Sequence, residues 1–171
     1  MLDEVGRLIV DISQNNNTAF EKLYIKTRRG VYAFLYTYFQ NSHDTEDAMQ
    51  MVYLKIKKNC SQFKKGTNGR AWILQIAKNH AIDTLRKNRN TLSLDDLNIP
   101  ATTDNIDSSG TVFSAMQKVL SIEEQQILVF HVLWGYKHKE IAKEFDLPLG
   151  TVLSKYKRAI EKLKKELKEG D

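Results

Sequence analysis

With one cysteine, two prolines and eight glycines in 171 residues, this chain has few means of stopping a helix or stapling a loop. Cys60 alone allows neither an intrachain disulfide nor a cysteine-based zinc cage, and it is read as a small packing residue near a helix end. The scarcity of proline and glycine favours an all-α chain. No apolar run approaches membrane-spanning length. The start, MLDEVGRLIV, has acidic residues and lacks the basic opening of a signal peptide. A soluble, cytoplasmic protein with no membrane insertion is expected. The motifs of catalysis are missing as well. His43, His80, His131 and His138 form no HExxH or similar metal spacing, and no phosphate-cradling glycine loop or G-x-S-x-G occurs. No catalytic residue, metal site, cofactor or enzymatic activity is therefore expected.

What is present is enough apolar material for real cores, at 42% of residues, and a formal charge of +5. The charge favours an anionic partner, and its distribution divides the chain. Residues 1–90 carry 15 Lys and Arg against 8 Asp and Glu, and residues 113–171 carry 11 against 9. Between them, residues 91–112 contain Asp95, Asp96, Asp104 and Asp107 and no Lys or Arg. This stretch has no sustained helical period and collects Ser, Thr, Asn, Pro100 and Gly110, the composition of a linker. Two small helical domains, 1–90 and 113–171, joined by a flexible acidic tether, are expected.

The N-terminal block divides into four helices. A short one turns Leu8, Ile9 and Ile12 inward and stops at Asn15 to Asn17. A capping box of Thr18 and Glu21 opens a long one, with Phe20, Leu23, Tyr24, Thr27, Val31, Phe34, Leu35 and Tyr38 at helical spacing. Asp44 or Thr45 caps a third, which runs to about Cys60 and buries Ala48, Val52 and Ile56. The basic, glycine-bearing loop FKKGTNG (63–69) leads into a fourth, from Arg70 to about Asn88. Trp72, in that last helix, is read as core in preference to a base-stacking residue.

In the C-terminal block Ser121 and Glu124 form another capping box, and Gly135 ends the helix that follows. Then comes KHKEIAKEFDLPLGTVLSKYKRAIEKLKKEL (137–167). Ile141, Ala142 and Phe145 give one helix an apolar face. Asp146, Leu147 and Pro148 break it, with Pro148 suited to the first turn of the next. There Val152, Tyr156, Ala159, Leu163 and Leu167 make a core stripe, while Thr151, Ser154, Lys155, Arg158 and Lys162 lie opposite. This is the layout of a helix-turn-helix whose second helix enters the major groove of DNA.

Together the blocks resemble bacterial sigma factors of the extracytoplasmic-function group, which retain only regions 2 and 4. The resemblance rests on FEKLY (20–24), DAMQMVYLKI (47–56) and AWILQIAKNHAIDTLR (71–86) for region 2, and on EIAKEF (140–145) and LPLGTVLSKYKRAIEKL (147–163) for region 4. It implies a factor that binds core RNA polymerase, recognises the −10 and −35 promoter elements and aids promoter opening. Asp47, Gln50, Met51 and Leu54 would dock on the β′ clamp helices, and region 4 would meet the β flap. Lys64, Lys65, Asn68, Lys78, Asn79, Arg86 and Arg89 would serve the −10 element, asparagines toward an exposed base and cations toward phosphate. At the −35 element Ser154, Lys157 and Arg158 would meet bases, and Thr151, Lys155 and Lys162 phosphates. Family habit adds an anti-sigma factor as a partner. The acidic linker would avoid DNA and could thread a basic channel of the polymerase.

Several positions depart from the family's pattern. Met51 stands where glutamate is frequent, Leu153 and Lys155 where basic residues are usual, and Lys137 where Ser or Thr often caps. The competing reading is a free-standing helix-turn-helix regulator that binds an operator without polymerase.

Overall fold

The computed structural model describes residues 3–91 and 107–170. Among them are eight α-helices, one 3-10 turn and no β-strand, so the architecture is all-α as expected. The chain divides into two compact units, Met1–Leu35 with Asn41–Thr102, and Tyr36–Gln40 with Thr103–Asp171.

In the first unit, α1 (Glu4–Ser13) begins where Asp3 accepts the Gly6 N–H at 2.9 Å, and it buries Val5, Ile9 and Ile12. Leu8 is half-buried. The start of α2 (Asn17–Phe39) differs from the expected Thr18–Glu21 box. Asn15 turns the chain at a left-handed φ of 64°, and Asn16 accepts the Ala19 N–H at 3.1 Å. Asparagine tolerates that turn and supplies the cap acceptor, so the Asn run starts the helix. The same correction applies to α3 (Ser42–Asn59). Gln40 takes φ 58°, and Asn41, not Asp44 or Thr45, is the cap, accepting the Asp44 N–H at 2.9 Å. Thr45 is buried instead, donating its hydroxyl to the Asn41 carbonyl at 2.6 Å.

Leu23, Thr27, Val31 and Phe34 of α2 are buried at helical spacing. The Thr27 and Tyr53 hydroxyls share a 2.7 Å hydrogen bond, and the Tyr53 ring meets Phe20 and Tyr24 edge-on. After α3 comes a 3-10 turn (Cys60–Gln62), then a loop that opens on the buried Phe63. The last helix of the unit, α4 (Gly69–Thr91), buries Ile73, Ala77 and Ala81 at four-residue steps. Gly69 is required by contact and not by a turn: a Cβ on it would lie 2.5 Å from the Gly6 backbone nitrogen in α1. Asp3 completes this crossing by also accepting the Gly69 N–H at 3.3 Å.

In the second unit, α5 (Asp107–Val119) starts inside the stretch read as linker. Asp, Ser and Ser suit a first helical turn as well as a loop, and Met116 and Leu120 then recur four apart on a buried face. The rest of the expected tether, with Asp95, Asp96 and Asp104, lies outside the described residues. At the start of α6 (Ile122–Val132) stands the predicted box: Glu124 N–H to Ser121 Oγ at 3.2 Å and Ser121 N–H to the Glu124 carboxylate at 2.9 Å. Gly135 turns the chain at φ 71°. Lysine has no side-chain acceptor to offer α7 (His138–Glu144), but the Lys137 N–H donates to the Glu140 carboxylate at 2.7 Å. Asp146, at φ 51°, ends α7, and the Leu147 N–H reaches back to the Ala142 carbonyl at 2.9 Å. Pro148 occupies the cap position just before α8 (Leu149–Glu169) and not its first turn. The core gathers Ile127, Leu128, Ile141, Val152 and Ala159, with Phe130 edge-on to Tyr136 and Phe145 at 5.2 and 5.3 Å. Tyr156, Leu163 and Leu167 complete the stripe of α8 half-buried.

Candidate functional site

Helix phase decides which side of α3 is available. Ala48, Val52 and Ile56 are buried, and this leaves Asp47, Gln50, Met51 and Leu54 on the exposed side. Met51 is 45% and Leu54 61% exposed, three residues apart on the same side of the helix. Asp47 lies 3.7 Å from His43 one turn earlier, a loose pairing between two exposed groups. The face therefore combines an apolar centre with an acid and an amide, the mixture found where a surface meets a protein partner.

The basic candidates of the same unit separate into a loop and a helix face. Lys64, Lys65 and Asn68 are exposed in the loop before α4, which Gly66 turns at φ 91°. Asn68 is also the cap of α4, its side-chain oxygen accepting the Ala71 N–H at 3.2 Å. That bond commits its acceptor to the backbone and leaves its amide nitrogen as the group to meet a base. Along α4, Lys78, Asn79, Arg86 and Arg89 are all exposed. At 100° per residue they fall within an arc of about 100°, so one helix face carries all four. Gln75 belongs to this face as well, donating to the Asn79 side-chain oxygen at 2.9 Å. Its four-residue spacing from Asn79 is a signal that sequence reading passed over. Trp72 packs edge-on against Phe63 at 5.6 Å and is half-buried, so part of its ring belongs to the core and part to the surface.

On the other side of α4, His80 Nδ1 lies 3.2 Å from Lys55 Nζ of α3. Burial lowers its pKa from the ordinary 6.5, Lys55 and Lys87 lower it further, and Asp83 opposes them. His80 is therefore held as the neutral acceptor of the lysine.

In α8 the candidates divide again. Ser154, Lys157 and Arg158 are exposed, with Arg158 Nε donating back to the Ser154 carbonyl at 3.4 Å, and Thr151 is half-buried. Lys155 and Lys162 are drawn into ion pairs with the first turn of α6, at 3.0 Å to Glu123 and 3.0 Å to Glu124. Burial alone would raise the Glu124 carboxyl, but the Ser121 backbone N–H and Lys162 outweigh it and hold the pKa below its ordinary value. The Lys155–Glu123 pair joins two partly exposed side chains and is worth about 0–1 kcal/mol, so a phosphate could compete for Lys155. Glu124 is buried, and drawing Lys162 away would leave its charge without a cation.

A histidine pair lies behind this face. The His131 and His138 rings stack at 4.1 Å, and both meet the Tyr156 ring edge-on at 5.0 and 4.7 Å. His131 Nδ1 is 2.8 Å from the Tyr136 carbonyl, which fits a donating N–H. The pair packs α6 and α7 against α8. Among the described residues no group of three or more His, Cys, Asp or Glu is placed to hold a metal ion, and no helix is long and apolar enough to cross a membrane.

Two family models match the chain in succession. The Sigma-70 region 2 model matches residues 23–91, and the Sigma-70, region 4 model matches residues 108–163. The chain is 27% identical over 158 residues to the RNA polymerase sigma factor CarQ of Myxococcus xanthus, covering 88% of this chain and 90% of CarQ. It is 22% identical over 162 residues to the ECF RNA polymerase sigma factor SigX of Bacillus subtilis, covering 86% of this chain and 83% of SigX. Its fold is similar to that of the sigma factor RpoE from Bartonella quintana, solved in complex with the anti-sigma factor NepR. That likeness has a TM-score of 0.61 at 21% identity, over 87% of this chain and 96% of RpoE.

Proposed function

This chain belongs to the sigma-70 family, of which it carries regions 2 and 4, and from that premise we propose how its exposed faces divide the work. It is a factor that binds core RNA polymerase and directs promoter-specific transcription initiation. The observation that carries this reading is the presence of both regions, in order, along one chain. A free-standing regulator needs a DNA-binding unit and has no use for the other.

The Asp47, Gln50, Met51 and Leu54 face of α3 docks on the β′ clamp helices. Its apolar centre supports this reading: Met51 packs where a charged side chain would bond, and Leu54 is the residue whose burial on docking releases most water. Lys64, Lys65, Asn68 and the α4 face of Lys78, Asn79, Arg86 and Arg89 hold the −10 strand as it leaves the duplex. Cations grip the freed backbone, and the amides of Asn68 and Asn79 meet exposed base edges. In α8, Ser154, Lys157 and Arg158 contact bases of the −35 element, while Thr151, Lys155 and Lys162 approach phosphates. The last two must first leave Glu123 and Glu124. The β flap is proposed as the polymerase contact of region 4. The action is non-catalytic and takes place in the cytoplasm, where the polymerase is. Tethering two DNA contacts makes the second effectively intramolecular once the first has formed. By analogy with the RpoE–NepR complex, an anti-sigma factor is a further proposed partner.

Transcription by purified core RNA polymerase on fragments upstream of the protein's own gene tests the proposal. A specific transcript that depends on this protein, and disappears with Asp47→Arg plus Gln50→Ala, is the expected outcome. No transcript and no binding to core enzyme, beside tight DNA binding by the protein alone, would establish the free-standing regulator instead.

A further inference from the structure

The outer surface of α8 carries two residues that neither phosphate binding nor folding explains. Leu149 and Leu153 are 43% and 46% exposed in the first two turns of the helix. Four residues apart, they are neighbours on the helix surface and form a short apolar ridge. The other exposed positions through Arg158 are Gly150, Ser154, Lys157 and Arg158, all small, polar or cationic. Core packing covers the leucines only in part: Val152 and Ala159 are the residues of α8 that bury completely, while Leu149 and Leu153 each keep nearly half of their surface exposed. A charged or amide side chain at either place would keep the helix and improve solubility.

We propose that Leu149 and Leu153 are specificity determinants that read thymine methyl groups in the upstream promoter element. The inference rests on the sigma-factor reading above and extends it to the bases recognised. A helix-turn-helix presents the N-terminal residues of its second helix to base edges. Of the groups displayed in the major groove, the thymine C5-methyl is the apolar one, and leucine cannot bond the others. The surroundings favour DNA over a protein partner. Lys157 continues the ridge one turn beyond Leu153 with a cation, the first turn of α8 contains no acidic residue, and Pro148 caps the helix without a side-chain acceptor, so its end stays electropositive. Glu161, one turn beyond Lys157 and exposed, marks where the surface ceases to suit the duplex.

Holoenzyme reconstituted with the full chain would first select active promoters from a library with a randomised upstream element. Each thymine in the winning element would then be replaced by uracil, which removes one methyl and no hydrogen-bonding group. Promoter binding should weaken roughly fourfold at one or two positions, the equivalent of one buried methyl. Leu153→Ala, at an exposed site that tolerates alanine, should bind more weakly and lose its sensitivity to uracil at one of those positions. Leu149→Ala should do so at a neighbouring one. Uracil tolerated at every position, or equal sensitivity in the wild type and both variants, would overturn the inference and leave the ridge to a protein partner. Failure to select any upstream element, with no promoter-specific transcript, would overturn the underlying sigma-factor reading instead.

Discussion

The two units hold their exposed helices by opposite means. In the first, α4 is fixed by backbone against backbone: Gly69 meets Gly6 where no Cβ fits, and Asp3 accepts an N–H from each. In the second, α8 is fixed by side chains: the Glu123–Lys155 and Glu124–Lys162 pairs, and the stack of His131 and His138 on Tyr156. Backbone contact is insensitive to salt and pH but intolerant of any added atom. Long polar side chains tolerate substitution but respond to the medium. The face proposed for the −10 element should therefore respond less to salt than the face proposed for the −35 element, while pH reaches both units, through His80 in the first and His138 in the second.

The sharpest way to break the comparison is at the crossing. Gly69→Ala puts a Cβ into the α1 backbone, which has no flexible end to yield, and should destabilise the N-terminal unit by about 2–3 kcal/mol. The same change at Gly150, whose added Cβ meets nothing within 4 Å, should be harmless, and denaturant unfolding of both variants would show the contrast. Next in size is Glu124→Ala, which removes half a capping box together with the partner of Lys162. A loss of about 1–2 kcal/mol is expected from the C-terminal unit, of which salt should mimic a small part.

The pH dependence, by contrast, touches both units. Burial, with His131 adding to it, holds the His138 pKa below the ordinary 6.5. The unfolded chain then binds the proton first as pH falls. Stability is kept above about 6.5 and lost as pH drops through the lowered value. His80 acts in the same direction in the first unit. His138→Phe keeps a ring beside Tyr156 and should flatten the acid loss of the C-terminal unit alone; thermal unfolding at pH 7.5 and 5.5 would measure it. The smallest effect concerns affinity. Glu123→Gln releases Lys155, which should tighten −35 DNA binding up to about fivefold while changing stability by less than about 1 kcal/mol. Unchanged affinity would mean that Lys155 does not reach DNA.

Sequence legibility followed the range of the interaction. The Ser121–Glu124 box was readable because both partners lie within one turn. So was the outward face of α3, since Ala48, Val52 and Ile56 define its phase. Asn16 and Asn41 were displaced by neighbouring Thr and Asp because adjacent polar residues are equal candidates until one knows which preceding residue turns left-handed. Gly69 passed as a loop glycine because its reason lies in another helix.

By itself, then, the sequence determined seven of the eight described helices, their buried stripes and the residue types exposed on each face, while α5, begun inside the stretch read as linker, escaped it. All of these come from periodicity and capping within a few residues. Which lysines of α8 are already paired, which glycine supports a crossing and which histidines share a stack were decided by tertiary structure. Those contacts join residues on different helices, and local periodicity carries no information about what a side chain meets there.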